Sequence, residues 1–405
     1  MQTRPAIVLC ALVACSAAPG LACGRGSLAL HGDAAADATD PCRGGKSEDY
    51  RARIGVNPAE IDAAVVDAPP PFACDREAPV VALPFGVNRA AYSRQLDRLV
   101  LVSQRQLHIV SPETCAETVL TLPMDATALA LSPNGLTAAV AHQGWITAVD
   151  LQAGAILRST EVPQIAPLFS SSDDVAIDDI RRAYVVAQAQ YANKSLLLVV
   201  DVLSGAIAAA AAELEGRGNV SLAPTGGTLF YGSAAYTNDG YIARLDVTGP
   251  TPKLVRERKG AGNCGPLYVA DDGASLYSLC NQVVSTSDDG SLDLRALGGL
   301  EGTMRIKHVA THATSGRVVI IRRPTTVTPD PTSEPDDAIH VYDSASRKLV
   351  KDIPLPGLPP ITSRCDDAQT PDAAHAQWVF IPADGRRYYV IAGSYAGHTL
   401  MRLAP

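Results

Sequence analysis

Six polar residues recur along the chain, each close to the start of an apolar run: Asp125, Asp174, Asn219, Asn263, His308 and His375. Carboxylate, carboxamide and imidazole groups gathered around one axis could hold a divalent cation, or a small polar molecule through hydrogen bonds. A funnel of that kind would suit metal-assisted hydrolysis of a lactone or ester. Asp and Asn are also the usual residues of strand-entry turns, so the same set fits a purely structural reading. No cofactor is predicted from the sequence; a divalent cation is the one such group these residues could take.

Other reactive patterns are sparse. Paired acids at Asp173-Asp174, Asp271-Asp272, Asp288-Asp289, Asp336-Asp337 and Asp366-Asp367 do not fit the spaced calcium loop and read as solvated turns. GxSxG, P-loop, GxGxxG and HExxH motifs are absent. Six cysteines lie beyond Cys23, and an even number in an exported chain favours disulfides. Cys264 opens and Cys280 closes a predicted hairpin whose turn, Asp271-Asp272-Gly273, lies midway, so the two face each other at bridging distance. Cys42, Cys74, Cys115 and Cys365 allow three pairings, and spacing does not choose among them. There is no CxxC or His/Cys cluster of the kind that holds structural zinc.

The elements that must position these residues are short strands. In Ala128 to Leu157, Leu129 and Leu131 alternate with small residues, Ser132-Pro133-Asn134-Gly135 is a turn, Thr137 to Ala141 is a second apolar run, and Trp145 to Val149 is a third. Asp150 to Gly154 turns the chain again, and Ile156 opens a fourth strand. The first turn returns at Ala223 to Gly226, Ala270 to Gly273, Ala313 to Gly316 and Pro382 to Gly385, with weaker copies at Ser93 to Leu96 and Asp178 to Arg181. A step of about 40 to 50 residues with four strands per unit is the signature of a propeller blade, and the copies make seven.

The sequence therefore predicts an all-β chain: a seven-bladed β-propeller of four-stranded antiparallel blades. The seventh unit has three strands, ending near Thr399 to Leu403, while an unassigned fourth-strand pattern, Pro79 to Pro84, precedes the first. Residues 79–84 as the outer strand of the last blade would close the ring and remove its free edge. The phrases TAVDLQAGAILRSTEV and IHVYDSASRKLVKDIPLPG resemble YVTN (YncE-like) β-propeller repeats, a resemblance spanning roughly 79–405. It implies a secreted seven-bladed propeller with varied binding roles, and it transfers no catalytic residues.

Residues 1–22 read as a lipoprotein-type export signal: Arg4 precedes an apolar run, and Leu12-Val-Ala-Cys15 resembles a lipobox, with Gly20-Leu-Ala-Cys23 as the second candidate and an ordinary cleaved signal as the alternative. Residues 23–78, rich in Ala, Asp and Pro, lack the apolar surface to fold and read as a linker. A net charge of −8 and pI near 5.5 argue against nucleic acid as partner. Nothing beyond the N-terminus is long and apolar enough to span a bilayer, so the membrane is met only through a lipid on Cys15. The long segments Gln188 to Lys194, Arg322 to Asp337 and Pro359 to Ala376 fall on one face. The expectation is a monomeric, envelope-anchored or secreted binding or scaffold module, its loop-rich face meeting a protein, peptide or glycan. The alternative is the metal-dependent lactonase or hydrolase with the axial funnel.

Overall fold

The computed structural model describes residues 75, 77–162, 169–189, 194–233, 240–260, 264–303, 305–322, 338–356, 376–394 and 397–405. The chain separates into units Met1–Gly55 and Val56–Pro405, and every described residue belongs to the second. The expected export signal, nearly all of the linker and most of each long loop fall outside the described residues.

The described residues form seven four-stranded antiparallel sheets. A leading strand, Val80–Leu83 (β1), precedes them. Blade one is Arg89–Ser93, Arg98–Ser103, Gln106–Val110 and Glu117–Thr121 (β2–β5). Blade two is Ala126–Leu131, Thr137–His142, Trp145–Asp150 and Ala155–Glu161 (β6–β9). Blade three is Phe169–Ile177, Arg182–Ala189, Lys194–Asp201 and Ile207–Glu215 (β10–β13). Blade four is Gly218–Leu222, Thr228–Ser233, Tyr241–Asp246 and Lys253–Lys259 (β14–β17). Blade five is Leu267–Val269, Ser275–Ser278, Val283–Ser285 and Ala296–Gly298 (β18–β21). Blade six is Ile306–His312, Arg317–Arg322, Ala338–Asp343 and Leu349–Pro354 (β22–β25). Blade seven is Ala376–Phe380, Tyr388–Ser394 and Gly397–Leu403 (β26–β28), completed by β1.

The closing ladder pairs Val80 with Met401 and Leu83 with His398. Its register is fixed by what it buries: Val81 and Leu83 join Leu99 and Leu101 of blade one and Leu400 of blade seven in a single apolar cluster. Arg402 rivets the same seam. It is buried, and its guanidinium donates to the carbonyls of Asp75, Ala78 and Pro112 at 2.7–2.9 Å.

The core is not at the centre of the ring. Seven apolar clusters each bridge one pair of neighbouring blades. This explains why the second strand of a blade is apolar at nearly every position: it is covered on both faces, as β7 shows with all six residues buried. The outermost strands alternate, as in β17, where exposed residues dominate.

The hairpin between the first two strands needs a left-handed residue, taken by glycine in five blades, Gly135 among them at φ 69°. A side chain there would also strike Ser93 Oγ, 2.8 Å from where its Cβ would lie, and that hydroxyl donates to the Gly135 carbonyl. In the two copies that read as weak in sequence, Asp97 and Arg181 adopt the same conformation.

Blade five has strands of only three or four residues. Its first hairpin is stapled by a Cys264–Cys280 disulfide with Cα atoms 5.7 Å apart. The cysteines lie outside the paired residues, before β18 and after β19, rather than within the strands as their spacing suggests. Cys115 is also disulfide-bonded; Cys42, Cys74 and Cys365 fall outside the described residues.

Candidate functional site

The innermost strands β2, β6, β10, β14, β18, β22 and β26 follow one another around an axis, with β26 beside β2. They enclose a channel of about 890 Å³. One position of the repeat sets its width. Five residues before each left-handed turn residue stand Tyr92, Ala130, Ala176, Ser221, Tyr268, Thr311 and Phe380, one per blade, and all seven line the channel. Blades two to four supply small residues at this level. Blades five, seven and one supply rings.

His308 of β22 joins those rings into an arc. Its ring meets Tyr268 at 5.2 Å and Phe380 at 5.5 Å, both edge-on, and Phe380 lies 6.0 Å from Tyr92. Edge-to-face contacts of this kind add modestly to plain burial. The rings fill the axial side of blades five, six, seven and one, while small residues line it at β6, β10 and β14.

The polar groups sit at the two ends. At one end, Asp174 of β10 accepts hydrogen bonds from the Val220 amide at 2.8 Å, from its neighbour's amide at Val175, and from the Asn219 side chain. Burial pushes its pKa up to about 6 against those three bonds. His308 Nδ1 accepts from the Val379 amide at 3.4 Å, which leaves the proton of the neutral ring on Nε2. Burial pushes the His308 pKa down to about 4. The Tyr268 hydroxyl donates to the Lys307 carbonyl at 2.6 Å, and burial raises its pKa. Asp174 and His308 are surrounded by protein yet keep some accessible surface, because the channel itself reaches them.

At the other end, Arg94 of blade one reaches across the opening. Its guanidinium donates to the carbonyls of Ile381 in blade seven at 3.1 Å and Thr311 in blade six at 2.5 Å, and pairs with Asp271 of blade five at 2.5 Å. Asp271 is oriented in turn by its amide, which donates to Thr311 Oγ1 at 2.9 Å. One arginine thus ties four blades together at the axis.

The structure brings together three of the six residues singled out in sequence: Asp174, Asn219 and His308. Asp125 is not part of the channel; it is exposed on the turn before β6, where its carbonyl accepts from His142 Nδ1 at 3.1 Å. Asn263 and His375 fall outside the described residues. Among the described residues, no three His, Cys, Asp or Glu side chains converge in a way that would hold a metal ion. Sequence reasoning missed Tyr92, Arg94, Tyr268, Asp271 and Phe380. Asp271, expected from its position as a solvated turn acid, is instead half-buried in an ion pair. The signal for the rings was present in the register: counting back from each turn glycine finds Tyr268 and Phe380.

The fold and the channel define a seven-bladed β-propeller. No protein-family model matches the chain, and no curated protein matches its sequence. Solved structures do resemble it. Hydrazine synthase of Kuenenia stuttgartiensis matches with a TM-score of 0.57 at 14% identity, over 80% of this chain and 97% of that one. The propeller domain of Cps50 (Swd1) of Myceliophteria thermophila matches with 0.57 at 12% identity, over 80% and 100%. The Dos1 propeller matches with 0.52 at 13% identity, over 78% and 77%. At these identities the likeness is one of fold.

Asp174 and His308 make opposite demands on acid stability. Unfolded, Asp174 titrates near 3.8; folded, near 6, so its charge costs stability above pH 6 and that cost is relieved as the pH falls toward 4. His308 falls from 6.5 to about 4 on folding, so acidification through that window costs stability instead. Asp174→Asn is expected to be favoured over the parent at pH 7.5, and that advantage to shrink by about 2 kcal/mol at pH 4.5. Denaturant unfolding at the two pH values measures this; a difference that does not change with pH contradicts the placement of Asp174.

Proposed function

We propose that the protein is an exported binding module of the YVTN (YncE-like) kind, tethered by lipid at Cys15. In this reading it takes a small ligand in its axial channel and presents its loop-rich face to a protein, peptide or glycan of the envelope. The observation that supports the ligand-binding part of this reading is the channel itself; export and the tether rest on the N-terminal sequence. The channel's volume of about 890 Å³ lies in the range of small-molecule sites, and its lining mixes apolar side chains with fixed polar groups such as Asp174, His308 and Arg94. Nothing among the described residues gives the metal-dependent hydrolase a comparable foothold.

The channel is tested with Ala130→Trp, which puts a ring where blades five and seven already carry one. Saturation-transfer NMR against a mixed set of neutral, anionic and cationic fragments should find binders to the parent protein that are lost in the variant. A set of binders indifferent to Ala130→Trp contradicts the reading.

The tether is tested separately. In a bacterial host fed labelled palmitate, the full chain is expected to take up label and fractionate with membranes, and Cys15→Ser to do neither. Label persisting in Cys15→Ser transfers the role to Cys23, and no label in the parent removes the tether.

A further inference from the structure

The channel has a chemical polarity of its own. On the side of blades two to four lies one carboxylate, Asp174, and facing it across the axis runs the arc Tyr268, His308, Phe380 and Tyr92. Asp174 forms no ion pair among the described residues. The guanidinium that bears on it, Arg89, makes no ion pair with it and donates through Nε and Nη1 to the carbonyls of Thr127 and Asn88 at 2.9 and 2.8 Å. Arg94, at the far end, is committed to Asp271, Thr311 and Ile381. The walls between are apolar: Leu129, Val309 and Val379. The three hydrogen bonds to Asp174 offset part of the cost of burying its charge, and a cation beside it would offset more.

A bare or hydrated metal ion is a poor complement. It needs several oxygen or nitrogen ligands, which do not converge among the described residues. An alkylammonium fits the same surroundings. Its charge meets the carboxylate, its carbons meet the apolar wall and the aromatic rings, and cation–π attraction adds to both. The proton on His308 Nε2 remains available to a hydroxyl or carbonyl on the same ligand.

We propose that the axial channel is a site for a small organic ammonium ion, with Asp174 as its counter-charge and the Tyr268–His308–Phe380 arc as its apolar wall. This rests on the reading of the channel as a binding site and adds the class of ligand.

Isothermal titration calorimetry on the full chain tests it with two pairs of probes: choline against its neutral isostere dimethylbutanol, and benzylamine against benzyl alcohol. Each cation is expected to bind at least about tenfold more tightly than its neutral partner. Asp174→Asn should bring the cation down to the level of the neutral compound and leave the neutral compound unmoved; thermal unfolding of the variant confirms that it is folded. Phe380→Leu should weaken both cations. A readout on the unaltered protein needs no variant. Cation affinity should fall about tenfold from pH 7.5 to pH 5, as Asp174 gains its proton near pH 6, while His308 stays neutral and Tyr268, its pKa raised by burial, keeps its proton.

Equal affinity for cation and isostere, or cation binding indifferent to Asp174→Asn, overturns the inference; so does failure of both cations to bind. If neutral or anionic fragments are nonetheless lost in Ala130→Trp, the channel stands as a binding site and only the ligand class is wrong. If no fragment depends on the channel, both readings fall together.

Discussion

The ladder between Val80–Leu83 and Gly397–Leu403 governs the rest of the molecule. It joins residues more than three hundred positions apart, as the Arg402 bond to the Ala78 carbonyl shows at a separation of 324. Without it, blade seven would present the backbone of β28 as an open edge, and the apolar cluster between blades seven and one would lose Val81 and Leu83. The ladder is not left to backbone pairing alone. Arg402 spreads its donors over three carbonyls on two segments, and His398 Nδ1 accepts from the Val87 amide at 3.1 Å. These side-chain bonds make the seam specific in register as well as in direction.

Closure also creates the channel. Each inner strand belongs to a different blade, so no single blade contains a site. Seven blades with identical inner strands would give an evenly lined pore. Here three blades place rings and three place Ala or Ser at the same level, which makes one wall aromatic and leaves the other aliphatic around Asp174. The strap from Arg94 to Asp271, Thr311 and Ile381 holds this asymmetric ring at one end, where the hairpins of blades one, five, six and seven meet.

What sequence showed and what it hid follow from the same geometry. The blade count was legible because turn chemistry is local: Asp150, Asp201, Asp246 and Asp343 each accept from a backbone amide two or three residues on, and any one of them marks the end of a third strand. The closing strand was legible because a fourth-strand pattern stood without a blade. The site was only half legible. Asp174 and His308 were visible as polar residues in inner strands, but Asp125 looks the same in sequence and faces solvent on a turn. Tyr92, Tyr268 and Phe380 read as ordinary strand aromatics, since nothing within one blade says which residues meet around the axis. In blades one and three the marker itself was obscured, because Asp97 and Arg181 take the left-handed turn position that glycine advertises elsewhere. Cys264 and Cys280 were findable as a pair, while their place beyond the strand ends depends on how short the strands of blade five are.

The most direct test of this account is a cross-link at the seam. Ala82 and Thr399 are direct partners in the closing ladder. Cysteines at both positions should oxidise to a disulfide, seen in non-reduced proteolytic digests, and the oxidised protein should unfold at a higher temperature than the reduced one. Cysteines that stay free in a cooperatively folded protein would mean that the two segments do not pair, and the ring, the channel and the site within it would have to be redrawn.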